Sequence, residues 1–123
     1  MRDAALSVVT SSTGLLLCVS RPEPPHELAL PGGLVEDGET RQDAAARELY
    51  EETGLLTATS RIVWVGTSPT DGRMVYVYRA HASGTPRAAE PGTRVAWLSP
   101  GELVGQGALY GDFTRRLFES VRI

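Results

Sequence analysis

The stretch that most constrains this chain runs from Gly33 to Leu55, GLVEDGETRQDAAARELYEETGL. Its second half predicts a helix from about Arg41 to Thr53. Thr40 can cap the start, and Asp43 stands three residues on, where a carboxylate answers free backbone N–H groups. Ala44, Ala45, Ala46, Arg47, Glu48 and Leu49 are strong helix formers. Gly54 falls where a left-handed residue closes a helix. Ala45 and Leu49 are placed to pack on a sheet. Glu48, Glu51 and Glu52 are spaced i, i+3, i+4, so their carboxylates share a face. Glu39 lies at the mouth of the helix.

Crowded carboxylates repel one another. A pair about 6 Å apart costs roughly 0.7 kcal/mol in water and about 3 kcal/mol at an effective dielectric of 20. Arg47 offsets part of this, with Glu51 four residues after it and Asp43 four before. A hard divalent cation offsets far more. An oxygen donor set without Cys or His suits Mg²⁺ or Mn²⁺ over zinc. The competing reading is a solvated acidic helix face.

The wider pattern separates the two readings. The stretch matches G-x5-E-x7-R-E-U-x-E-E-x-G-U, with U apolar, at Gly33, Glu39, Arg47, Glu48, Leu49, Glu51, Glu52, Gly54 and Leu55. At about 7 % usage per residue type, the single-residue positions alone match by chance on the order of once in 10⁸ windows. The chain therefore resembles the Nudix hydrolase family, whose signature box this is. Leu30-Pro31-Gly32-Gly33 resembles the usual entry to that box.

A length of 123 residues suits one domain over 1–123, and 41 % hydrophobic residues suit a folded interior. No apolar run approaches the ~18 residues of a spanning helix. The N-terminus, MRDAALSVVTSS, makes a poor signal peptide, so the expected location is cytoplasmic. Cys18, the single cysteine, sits in an apolar run and reads as an inert core thiol. The net charge of −3 argues against holding duplex nucleic acid by counterion release. All twelve basic residues are Arg, so any cationic grip on phosphate is a guanidinium fork.

Along the chain, Ala4–Thr10 and Gly14–Ser20 read as strands joined in a hairpin, the second buried on both faces. Arg21–Glu27 holds three prolines and reads as a connector or as a rim over substrate. Pro31-Gly32-Gly33 reads as a sharp turn, followed by a brief strand at Leu34-Val35. Ile62–Gly66 and Met74–Ala80 form a second hairpin across Ser68–Gly72. Ser83–Thr93 is a loop, Arg94–Leu98 a strand, and Pro100–Val104 a short helix capped by Ser99. Asp112–Val121 is an amphipathic helix with Phe113, Leu117 and Val121 on its buried stripe. The fold class is α/β.

The resemblance implies more: an α/β/α sandwich with a mixed sheet and a loop-helix-loop catalytic motif. It implies Mg²⁺-dependent hydrolysis of a nucleoside diphosphate linked to X. It implies Glu48, Glu51 and Glu52 as metal-holding catalytic carboxylates, aided by the Gly32 carbonyl. Arg47 then orients a glutamate, Glu39 is an outer-shell or additional metal contact, and Gly33 and Gly54 are structural. The general base is a box glutamate or a later acid, with Glu90 and Asp71 as candidates. Arg21 and Glu90 are the candidate substrate contacts. The small size fits free nucleotides such as an oxidised dNTP, and Pro69 stands near a proline of ADP-ribose-hydrolysing members. Tyr76, Tyr78, Trp64 and Trp97 either stack on a base or pack. Many members are dimers, which leaves a homodimer open. A non-catalytic nucleotide-binding or regulatory module is the alternative, disfavoured because no box acid is lost.

Overall fold

The computed structural model describes residues 1–106 and 108–121, the side chains of 108–112 excepted. In chain order the elements are β1 (Ala4–Val8), β2 (Leu16–Ser20), β3 (Leu28–Ala29), β4 (Gly32–Leu34), α1 (Arg41–Thr53), β5 (Leu56–Thr67), β6 (Met74–Ser83), β7 (Val95–Leu98), α2 (Pro100–Val104) and α3 (Ala108–Ser120). One sheet has the order β4-β1-β6-β5, and a second has the order β3-β2-β7. In the first, β1 and β6 are parallel while β1–β4 and β5–β6 are antiparallel, so the sheet is mixed.

Strand alternation explains the layers. Val75 and Val77 of β6 face a core shared with Leu16, Cys18, Phe113 and Leu117. Tyr78 and Ala80 face the other way, toward Ala44, Ala45 and Leu49 of α1. Residues two apart share a face of a strand, so β6 alone feeds both cores. The result is a sheet between α1 on one side and α3 on the other. The side chain of Cys18 lies in the second sheet's core, and burial pushes its thiol up to about 12. That is an inert thiol.

The expected hairpin of the first two strands does not form as a pair. Only Thr10 and Leu16 bridge, beside the hydrogen bonds Ser11 N–H to Leu15 O and Leu17 N–H to Val9 O. A strand has two edges, and β4 and β6 occupy both edges of β1, so β2 pairs with β3 and β7 instead. The expected sharp turn at Gly32-Gly33 is strand β4, running against Ala5 and Leu6. These glycines supply close approach rather than positive φ: a Cβ on Gly32 would collide with Leu6 and the Ala5 carbonyl. Strand β5 also begins well before Ile62. The hairpin β5–β6, the Ser99 cap and the all-buried β2 match expectation, and Glu102 completes a capping box at Ser99. The amphipathic helix starts earlier than expected, at Ala108, and Phe113 and Leu117 are buried as predicted.

Among the described residues no helix is long and apolar enough to cross a membrane.

Candidate active site

Local sequence sets the helix that carries the glutamates. Thr40 Oγ1 accepts from the Asp43 N–H at 3.1 Å, and Gly54 closes α1 at φ 78° with its N–H on the Tyr50 carbonyl. Leu49, Ala44 and Ala45 anchor the opposite side to the sheet. With both ends and one face fixed, Glu48 and Glu52 are aimed at β4.

There the glycine backbone receives them. The Gly32 N–H donates to Glu52 Oε1 at 2.8 Å. Gly33 lies so close to Glu48 that a Cβ would stand 2.6 Å from its carboxyl carbon. Arg47 binds the remaining acids. Its Nε and Nη2 donate to the two oxygens of Glu39 at 2.7 and 3.0 Å, and its Nη1 donates to Glu48 Oε1 at 2.9 Å. Glu51 is reached at 3.3 Å, and the Leu34 carbonyl accepts from Nη2 at 3.1 Å. The Glu36 N–H also donates to Glu39.

Electrostatics divide these acids. The Arg47 fork holds Glu39 below the usual carboxylate range, with the Glu36 N–H assisting. Burial raises Glu48, and Arg47 only partly opposes it. Burial pushes Glu52 up to about 8 against the Gly32 hydrogen bond, while Glu48 and Glu90 add repulsion. Such a shift marks anionic charge without adequate compensation.

Glu90 comes from far along the chain. The Arg87 and Ala89 N–H groups donate to the Thr53 and Glu52 carbonyls, pinning the Ser83–Thr93 loop to the end of α1. Glu90 thereby joins Glu48, Glu52, Arg21 and Glu23 around a cavity of about 230 Å³. A second cavity of about 290 Å³ shares Arg21, Leu30 and Gly32 with the first, so the two adjoin. Its walls include Leu6, Val75, Phe113, Pro69 and Asp71. The outcome is an acidic chamber beside a largely apolar one.

A family model for the NUDIX domain matches residues 1–119. The chain belongs to the NUDIX family. It is 35 % identical over 97 residues to a MutT-like protein of Streptomyces ambofaciens, covering 78 % of this chain and 62 % of that protein. It is 34 % identical over 104 residues to a Bacillus subtilis protein named as a candidate 8-oxo-dGTP diphosphatase, covering 82 % and 68 %. It is 37 % identical over 67 residues to an ADP-ribose pyrophosphatase of Methanocaldococcus jannaschii, covering 53 % and 40 %. The chain thus spans from 40 % to 68 % of the lengths of these curated relatives. The solved MutT NUDIX hydrolase of Burkholderia pseudomallei has a TM-score of 0.79 at 28 % identity over 98 % of each chain.

Within this NUDIX chain, the structure gathers Glu39, Arg47, Glu48 and Glu51 into one network, with Glu52 on the adjoining Gly32. Gly54 is the left-handed cap. Among the described residues no three His, Cys, Asp or Glu side chains already form a metal-binding group. The oxygen-only set of Glu48 and Glu52, half-buried and with Arg47 reaching only Glu48, nonetheless fits a hard divalent ion. Arg21 and Glu90 both line the acidic chamber, and Pro22 and Glu23 make the proline loop its rim. Asp71 does not join them. Its carboxylate accepts from Arg73 Nε at 2.7 Å and is held below its usual range. None of the four aromatic candidates lines either chamber, and Trp97 is exposed. Trp64 meets Phe113 edge-on at 5.2 Å, Tyr78 is buried, Arg41 lies 4.1 Å over Tyr76, and Trp97 is on β7. Sequence reasoning missed Phe113 and Val75 as walls of the apolar chamber. Their periodicity marks burial, and nothing in it distinguishes a core position from a cavity wall.

Proposed function

We propose that this chain is a Mg²⁺-dependent pyrophosphohydrolase that splits a nucleoside diphosphate linked to X into a nucleoside monophosphate and phosphorylated X or pyrophosphate. The substrate class we favour is an oxidised deoxynucleoside triphosphate. The observation that carries the reading is the pair Glu48 and Glu52, both raised by burial and only Glu48 touched by a cation, on the wall of an acidic chamber that adjoins an apolar one.

Glu48 and Glu52, with the Gly32 carbonyl, would hold the ion, and Glu51 would reach it from the solvent side. Bound there, it supplies charge neutralisation on the phosphate oxygens and lowers the pKa of a water. The chain's own residues do the rest. The Gly32 N–H fixes the rotamer of Glu52, and Arg47 fixes Glu48 while Glu39 locks Arg47. Positioning of this kind supplies much of the rate in phosphoryl transfer. Glu90 is the general base we favour over Asp71: it faces the same chamber, whereas Asp71 is tied to Arg73 and has a depressed pKa, which makes it a weaker base. Glu90 takes the proton of the attacking water at its carboxylate oxygen. Arg21, between the chambers, is positioned to grip a phosphate oxygen.

The adjoining chamber bears on X. About 290 Å³ lies at the lower end of ordinary ligand pockets, which suits one nucleobase with its sugar. The relative named for 8-oxo-dGTP covers more of this chain than the one named for ADP-ribose. Pro69 in the chamber wall is the observation that favours ADP-ribose as the second reading.

One panel tests both. dNTPs, 8-oxo-dGTP, ADP-ribose, diadenosine polyphosphates and nucleotide sugars are assayed for phosphate release with a coupled phosphatase, with Mg²⁺ and with chelator. The expected result is chelator-sensitive turnover with the highest kcat/KM on 8-oxo-dGTP. Highest turnover on ADP-ribose selects the second reading. No turnover of any member defeats the enzymatic assignment and leaves a binding module.

A further inference from the structure

A different constellation lies on the sheet face away from α1. The register of β5 and β6 sets Arg61 directly opposite Arg79. Directly opposed residues of an antiparallel pair share a face, and like charges there repel. Arg79 also pairs with Val8, which is buried in the core under α3. The two arginines line a cavity of about 280 Å³ together with Ile62, Val63, Ser120 and Val121, at the C-terminal end of α3.

Arg2, Arg41, Arg47, Arg73 and Arg115 have carboxylate partners, whereas Arg87 and Arg94, like Arg61 and Arg79, have none among the described residues, and of these four only Arg61 and Arg79 stand opposite each other across a strand pair. Among the described residues no carboxylate stands within ion-pairing distance of Arg61 or Arg79. The chain carries a net charge of −3, so acids are not scarce. The nearby C-terminal end of α3 contributes about half a negative charge, against two full positive ones. Among the described residues the cavity therefore keeps a positive surplus. Two planar forks across one strand spacing match an anion with several acceptor oxygens.

We infer that Arg61 and Arg79 form a binding site for a phosphoryl oxyanion, on the opposite face of the sheet from the glutamate chamber. The ligand is inorganic phosphate or the terminal phosphate of a nucleotide. The inference does not depend on the proposed hydrolytic activity.

The test is a titration of the whole metal-free chain with inorganic phosphate, followed by NMR at the arginine Nε–Hε groups, with chloride at matched ionic strength as control. Parallel titrations with pyrophosphate and a nucleoside monophosphate distinguish the sources. Saturable shifts at Arg61 and Arg79 are expected, with binding weakened at least about tenfold in Arg61→Gln and in Arg79→Gln. Mg²⁺-dependent turnover is expected to stay within about twofold of the parent, since neither residue lines the glutamate chamber. Arg61 is exposed, so its variant reads the site even if Arg79→Gln does not fold. Shifts no larger than those from chloride, or equal phosphate affinity in parent and Arg61→Gln, overturn the inference.

Discussion

Glu51 and Glu52 are neighbours in sequence on α1, yet they meet different surroundings. The Glu51 side chain is 48 % exposed and lies 3.3 Å from Arg47. Glu52 turns inward onto the Gly32 N–H, among Glu48 and Glu90, and burial raises its pKa to about 8. A helix rotates its side chains by about 100° per residue, so one step along the chain moves a carboxylate from water to the sheet edge. Charge number alone therefore does not make a metal site. What matters is which acids are denied water and a cation. On α1 that is Glu52, whereas Glu48 keeps one contact with Arg47, and Glu39 and Glu51 are also held by it.

The strongest test of this contrast is Glu52→Gln. Gln keeps an acceptor for the Gly32 N–H, so the fold should survive with its Tm unchanged or raised at pH 8. Mg²⁺-dependent kcat should fall on the order of 10³-fold. Full turnover with an intact fold would remove Glu52 from the mechanism.

Gly33→Ala attacks the same pair from the β4 side. The added Cβ would stand 2.6 Å from the Glu48 carboxyl, which Arg47 also holds. A loss of about a hundredfold in kcat/KM is expected, on the scale of a misplaced catalytic group. Circular dichroism and thermal melts should show little change. Unaltered kinetics would mean that the position of Glu48 is unimportant.

Arg47→Lys probes the solvated side of the comparison. A lysine is a point charge and cannot fork to both Glu39 oxygens while reaching Glu48. Activity should drop between about 10- and 100-fold, as for groups that orient metal ligands. Equal activity in the lysine variant would show that charge alone suffices there.

The smallest effect concerns pH. Glu52 has a folded pKa raised above its unfolded value, so the unfolded chain releases its proton first as pH rises. Its contribution to the metal-free fold is complete below about 4.5 and declines as pH climbs through about 8. The decline amounts to a few kcal/mol at most. Mg²⁺ should therefore raise Tm more at pH 8 than at pH 5, because protons compete with the ion at low pH. A pH-independent Mg²⁺ shift in calorimetry would contradict that.

Much of the site was legible because its signals are local. The Thr40 cap, the Gly54 terminator and the i, i+3, i+4 carboxylates depend on residues within a few positions of each other. The β5–β6 hairpin was legible for the same reason, through the turn residues Ser68–Gly72. The first hairpin was misread because the choice of partner for β1 rests on β6, which lies some seventy residues away. Gly32-Gly33 was misread because a turn and a close strand contact both call for glycine, and only Leu6 and Glu48 distinguish them.

The one-dimensional chain settled that a capped helix would carry a row of carboxylates at its family's spacing, since caps, helix propensity and helical period act over short range. Which of those acids is buried, which one Arg47 claims, and that Glu90 and Arg21 face them were decided by the folded arrangement. Desolvation and ion pairing depend on what lies across space, and in this molecule those neighbours come from β4 and two loops distant in sequence.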